Sequence, residues 1–237
     1  MESKISEILD LVNAPEMSKK MSNSTYYNDD GVMVPRVTEV ISTMIHSDAL
    51  MYWANSLGFK GKGYRATLNA AAKIGTEAHT AIERFLKDKY ESKTNIPFLG
   101  FLMWYNIVSV DRELSINVIY IEHKIVCKWF GGTIDCLMNI GGKIYLVDFK
   151  TSNHVTYKYF LQLAAYRFML RVVEGINVDG VIVLQLDKAE PGFNEYLLNF
   201  ENLEHLNFIE QCERTFLSLV YGFVNIRYTE MLFNQIF

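Results

Sequence analysis

Apolar and polar positions follow one rhythm up to about residue 113 and another after it. The first stretch is helical in pattern. MESKISEILDLVN carries acids inside an apolar repeat, which predicts an amphipathic helix over 3–12. The polar run SNSTYYNDDG reads as a loop. Thr38 is placed to cap a helix over 39–46. Residues 65–90, rich in Ala, Leu and Glu, predict one long helix. Another is expected over 98–110, starting after Pro97.

Beyond residue 113 the pattern turns to strands. Residues 116–128 are rich in Ile, Val and Tyr, and 131–139 follow a Gly-Gly pair. A second Gly-Gly, Gly141-Gly142, reads as a tight hairpin into a strand over 143–149. An amphipathic helix over 157–174 comes next, then strands at 180–187 and 194–200, then a helix over 201–222. Three strands, a helix and further strands describe a mixed central sheet flanked by helices, an α/β fold. The chain divides into a mainly helical part, 1–112, and a sheet-bearing core, 113–237. At 237 residues the two fit one compact unit.

Composition narrows the setting. Half the residues are apolar, enough for a core without disulfide staples. Three scattered cysteines, Cys127, Cys136 and Cys212, argue for a reducing, cytoplasmic compartment and against a zinc site. The N-terminus is not patterned as a signal peptide, and no apolar run is long enough to span a bilayer, so no membrane partner is expected. The net charge of −4 disfavours bulk attraction to nucleic acid. Its distribution points the other way. No acid falls between Asp48 and Glu77, while Lys60, Lys62, Arg65 and Lys73 do. That segment is either a solvated face or a phosphate-tracking patch.

The chemistry concentrates in Lys143-Ile-Tyr-Leu-Val-Asp148-Phe-Lys150. Side chains alternate along a strand, so Asp148 and Lys150 share a face and Phe149 takes the other. Taken alone this is a strand-end salt bridge. Asp135 changes the picture, because pairing around Gly141-Gly142 can bring it beside Asp148. Two close carboxylates repel, and burial makes this worse. A divalent cation relieves both costs, and oxygen ligands suit Mg²⁺, with Mn²⁺ as a substitute. Lys150 is then placed to hold a water or to stabilise charge on a phosphate. Gln162 and Tyr166 project from one face of the following helix, and His79 and Glu83 share a face of the long one.

Gly75-x-x-x-His79, Gly132-x-x-Asp135, Val147-Asp148-Phe149-Lys150-Thr151 and Gln162-x-x-x-Tyr166, in that order, resemble the RecB-type branch of the PD-(D/E)XK nuclease superfamily. Upstream, Pro35-Arg-Val-Thr38-Glu-Val-Ile41 followed by Trp53 resembles the opening of the mitochondrial genome maintenance exonuclease group and its phage relatives. The resemblance covers about residues 34–200. It implies a restriction-endonuclease-like fold with a helical N-terminal elaboration. It implies a metal held by His79, Asp135, Asp148 and the main-chain carbonyl of Phe149, with Lys150 orienting water and Gln162 and Tyr166 contacting DNA. Glu122 resembles an acid the family often carries on the strand before the hairpin, in a supporting role. Arg36 departs from the small residue usual after that proline.

The expectation is therefore a Mg²⁺-dependent exonuclease acting on single-stranded DNA or DNA ends, in phage-type recombination, replication or repair. Recombination or replication proteins are its possible partners, and the host cytoplasm its setting if phage-encoded. Three cysteines cannot hold a four-cysteine iron–sulfur cluster, and no Walker A motif is present to bind a nucleotide. Phe59 and Tyr64, beside the basic residues, are candidates for base stacking. A structure-specific endonuclease or resolvase on the same core, and a non-catalytic DNA-binding accessory protein, are the alternatives.

Overall fold

A computed structural model describes residues 26–45, Tyr52, Phe59 and residues 63–237. The helix predicted over 3–12, Trp53, Lys60 and Lys62 lie outside the described residues. The described chain opens on a two-strand ribbon, β1 (Tyr26–Tyr27) and β2 (Met33–Val34), where a loop was expected. Asn28 makes the turn: its Oδ1 accepts from the backbone of Asp30 at 3.1 Å and of Val32 at 2.9 Å. Helix α1 (Val37–Met44) starts earlier than Thr38 suggests. Arg36 occupies the cap, and the Glu39 carboxylate reaches back to its N–H at 3.4 Å.

Two further helices precede the sheet. They are α2 (Tyr64–Asp88) and α3 (Ile96–Asn106), the latter capped by Asn95 with Pro97 in its first turn. The helix expected to run to residue 110 widens after Asn106 into a π turn over Ile107–Asp111. The sheet follows as β3 (Ile116–Val126), β4 (Gly131–Ile140), β5 (Lys143–Lys150), β6 (Gly180–Leu186) and β7 (Phe193–Asn199). These five strands lie side by side in chain order. The β5–β6 pair is parallel, as its crossover through α4 (Tyr157–Val173) requires, and the other pairs are antiparallel.

The Gly141-Gly142 hairpin is present. Both glycines have positive φ, +59° and +89°, the conformation a two-residue hairpin turn needs. It fixes Ile140 opposite Lys143 and so sets the register of β4 on β5. The closing helix, α5 (Leu203–Ile236), runs well past the expected end at residue 222. Gly222 is not a stop. A Cβ there would meet only the Met44 methyl, at 2.9 Å, the flexible end of a side chain that can move aside.

The sheet separates two apolar layers. One packs Val37, Leu146, Leu163, Val183 and Phe216 between the sheet and α1, α4 and α5. The other packs Ile82, Phe98, Phe101, Trp104, Val147 and Phe149 between the sheet and α2 and α3. This is the mixed α/β, restriction-endonuclease-like arrangement expected, and its two helical layers carry site residues to the sheet from opposite sides.

Gly100 pins α3 to the β6–β7 loop. A Cβ at this position would stand 2.3 Å from the Gly192 carbonyl oxygen, a contact with backbone that cannot swing away. Gly100→Ala is expected to cost about 1–3 kcal/mol in chemical denaturation. Unchanged stability would show that the loop does not pack there.

Candidate metal centre

The centre grows out of strand register. The pairing of β4 with β5 runs to Cys136 and Val147, and Asp135 and Asp148 come next on the two strands. The Asp135 Oδ2 accepts from the Phe149 N–H at 2.9 Å, which ties the carboxylate to the neighbouring strand. On the other side, Ile121 pairs with Cys136 and His123 with Ile134, so Glu122 lies opposite Asp135. Glu122 has φ +47°, a left-handed conformation inside a strand. Such a residue costs on the order of 1–3 kcal/mol and persists only where its surroundings impose it.

Helix α2 brings His79 onto these acids. Its Nδ1 lies 3.4 Å from Glu122 Oε1 and 3.7 Å from Asp135 Oδ1. Its Nε2 donates to the Phe149 carbonyl at 3.0 Å, which orients the ring. Donor atoms of His79, Glu122 and Asp135 all fall within 4.8 Å of one another. Burial pulls the imidazole pKa down, but the Glu122 hydrogen bond and the Asp135 charge outweigh it and hold it at about 9. Gly75, one turn earlier, faces Thr151 just beyond β5: a Cβ there would meet Thr151 Oγ1 at 3.4 Å, an ordinary contact distance. A cleft of about 340 Å³ opens over this group, lined by Gly75, Thr76, His79, Thr80, Glu83 and Glu122.

Asp148 sits deeper. It is 1 % exposed and lies between Lys150 and helix α4. The Lys150 Nζ stands 2.8 Å from its Oδ1 and 2.7 Å from its Oδ2, and Gln162 Nε2 donates to Oδ1 at 3.2 Å. Oδ2 has the ammonium beside it and no aligned hydrogen bond. Burial pushes the Asp148 carboxyl up, Lys150 draws it back and Asp135 raises it further. Burial works against the Lys150 charge, yet Asp148 and Asp135 raise its pKa overall. At neutral pH both directions are met by an ionised pair.

Gln162 also donates to the Tyr166 hydroxyl at 3.3 Å. Burial raises the Tyr166 phenol, so it stays neutral and keeps its own proton to donate. Gly132 makes room for it: a Cβ there would meet the ring at 2.5 Å. The motif glycine therefore has a steric cause.

Most of the predicted site residues converge: His79, Glu122, Asp135, Asp148, Lys150, Gln162, Tyr166 and the Phe149 carbonyl. Two placements differ from the expected division of labour. Glu122, given a supporting role, stands with His79 and Asp135, whereas Asp148 turns to Lys150 and Gln162. The Phe149 carbonyl accepts from His79. Sequence reading missed Tyr159, whose ring centroid lies 5.1 Å from the Lys150 Nζ. Its spacing to Gln162 and Tyr166, three and seven residues, is the helical repeat that marks a shared face.

The basic segment is less concentrated. Arg65 and Lys73 are both exposed on α2. Arg65 falls roughly 21 Å before His79 along the helix axis and within about 40° of its face. Lys73 faces elsewhere and lies 3.8 Å from Glu77. Phe59 is exposed and Tyr64 half-buried at the start of α2.

The donor set fits a divalent cation. One imidazole nitrogen and two carboxylates lie within reach of a single ion, and a third, buried carboxylate stands behind them. The mixture of nitrogen and oxygen donors accommodates Mn²⁺ as well as Mg²⁺. The metal-free chain keeps His79 protonated below about pH 9. That raised pKa stabilises the fold fully below the unfolded value of 6.5, and the contribution is lost as pH rises through about 9. Binding a cation at neutral pH must expel the proton. Calorimetric Mn²⁺ titrations at pH 7.5, in two buffers of different ionisation enthalpy, are expected to show release of about one proton. His79→Ala removes that release. Equal heats in both buffers would mean the imidazole is already neutral.

No family model matches this chain, and no curated protein matches it. Among solved structures it is similar to one described as "Crystal structure of SSO0001", at 15% sequence identity and a TM-score of 0.39, over 92% of this chain and 85% of that one. A likeness at that score decides neither fold nor function.

Proposed function

We propose that this chain is a metal-dependent deoxyribonuclease, an exonuclease that hydrolyses phosphodiester bonds at single-stranded DNA or DNA ends. The observation that carries the reading is the Asp148–Lys150 pair at the end of β5, beside the His79, Glu122 and Asp135 group. An ammonium next to a cluster of acids is a poor general ion pair and a good phosphate clamp, since it faces both anionic ligands and an anionic substrate. The motif resemblance supports the same reading.

His79, Glu122 and Asp135 would hold Mg²⁺ or Mn²⁺, with Asp148 adjoining. Bound there, the ion would supply Lewis-acid activation of water and charge stabilisation on the phosphate. The protein's own groups do the rest. Lys150 donates to a phosphate oxygen or to the attacking water. Gln162 fixes the Asp148 carboxylate, and the Tyr166 hydroxyl stands behind both. The Phe149 carbonyl aims the imidazole. Arg65, on the His79 face of α2, is a contact for the DNA backbone upstream, and Lys60 and Lys62 extend that role in this reading. Recombination or replication proteins are the partners proposed, with phage-type DNA metabolism in the host cytoplasm as the setting. Among the described residues no helix is long and apolar enough to cross a membrane.

End-labelled linear and circular single-stranded DNA separate the possibilities. Loss of the linear substrate alone, with Mg²⁺ or Mn²⁺ and not EDTA, is the expected result, abolished in Asp148→Ala. Cutting of the circle would establish an endonuclease instead, and cutting of neither would leave a DNA-binding protein. Lys150→Ala is expected to slow cleavage about 10²–10³-fold while Mn²⁺ still binds. Loss of metal binding in that variant would move Lys150 from the chemistry to the architecture of the centre.

A further inference from the structure

Beyond Lys150 the sheet carries a second polar feature. Lys150 pairs with Gln185 on β6, and Gln185 pairs with Asn194 on β7. Residues level on adjacent strands present their side chains to the same face. Lys150, Gln185 and Asn194 thus form a row leading away from the metal centre across three strands. Gln185 is a buried amide. It donates to the Ser152 carbonyl at 2.8 Å and accepts from Asn194 Nδ2 at 3.1 Å. These bonds fix the orientation of both amides. They use one N–H of Asn194, whose second N–H and Oδ1 form the adjacent donor and acceptor with which side-chain amides read base edges.

A cleft of about 470 Å³ opens at this row, among Ser152, Gln185, Lys188, Glu190, Phe193 and Asn194. Ligand sites fall within about 300–1,000 Å³, and open α/β sheets place them beyond the carboxyl ends of parallel strands, as here. The far wall is fixed. Asp187 N–H donates to the Gly192 carbonyl at 3.1 Å, the Asp187 carboxylate accepts from Ala189 N–H at 2.7 Å, and Gly100 seats the loop on α3. The charge is wrong for a phosphate: Lys188 is outnumbered by Asp187 and Glu190. Side-chain amides and backbone groups suit an uncharged base and sugar.

We infer that this cleft is a nucleoside subsite, which takes the base and sugar of the DNA strand adjoining the phosphate held at Lys150. It rests on the nuclease reading for the source of its ligand, and not for its own chemistry. The test uses the full chain in EDTA, so that nothing is cut. Side-chain amide signals of Gln185 and Asn194 are followed by NMR during titration with the four deoxynucleosides and with a short single-stranded oligonucleotide. Both amides are expected to shift with at least one nucleoside and with the oligonucleotide. Asn194→Ala, an exposed position, is expected to weaken nucleoside binding about fivefold or more. Still amides with all four nucleosides, binding indifferent to Asn194→Ala, or shifts with monomers and none with the oligonucleotide would each overturn the subsite. The two readings fail separately. Cleavage of linear DNA with still amides leaves the nuclease and removes the subsite. Shifts with nucleosides and oligonucleotide without cleavage under either metal keep the subsite and remove the nuclease.

Discussion

Two carboxylates close together repel each other, and much of this molecule's local architecture answers that repulsion. Asp135 and Asp148 follow the last paired residues of β4 and β5, near enough for the Asp135 charge to raise the Asp148 carboxyl, in a setting where water does little to screen them. Each neighbour relieves part of the cost. The Phe149 N–H and the His79 ring serve Asp135, while Lys150 and Gln162 serve Asp148. A buried cluster of this kind adds little to stability compared with an apolar one.

The two apolar layers matter because they meet at this point. His79 arrives with the layer of α2 and α3, and Gln162, Tyr166 and Tyr159 arrive on α4 from the other. Neither layer alone builds the centre. Close approach is obtained by omission of a side chain at Gly132, where a Cβ would press on the Tyr166 ring.

Much of this was legible in the chain. Alternation along Lys143–Lys150 correctly separated Asp148 and Lys150 from Phe149, and the Gly141-Gly142 pair correctly marked the β4–β5 hairpin. Local patterning carries such information because it concerns one or two strands. The nearness of Glu122 to His79 was not legible, since it depends on a left-handed residue in β3 and on the seating of α2 across the sheet. The start of α1 was misjudged because Glu39 caps Arg36 through its side chain, a contact that outweighs the preference of Thr38. The β1–β2 ribbon was hidden because an asparagine turn and a two-residue pairing leave almost no periodicity. The expected helix stopped at residue 222, whereas α5 runs on to Ile236.

The conformation of Glu122 has a consequence for how this chain can change. Glycine or asparagine would occupy a φ of +47° with less strain than the glutamate found there. Selection for heat tolerance without regard to activity would favour replacing it, and would dismantle the acidic cluster in the same step. Robustness and the acidic cluster are in conflict at this position, so stability screens alone would select well-folded variants that have lost the cluster.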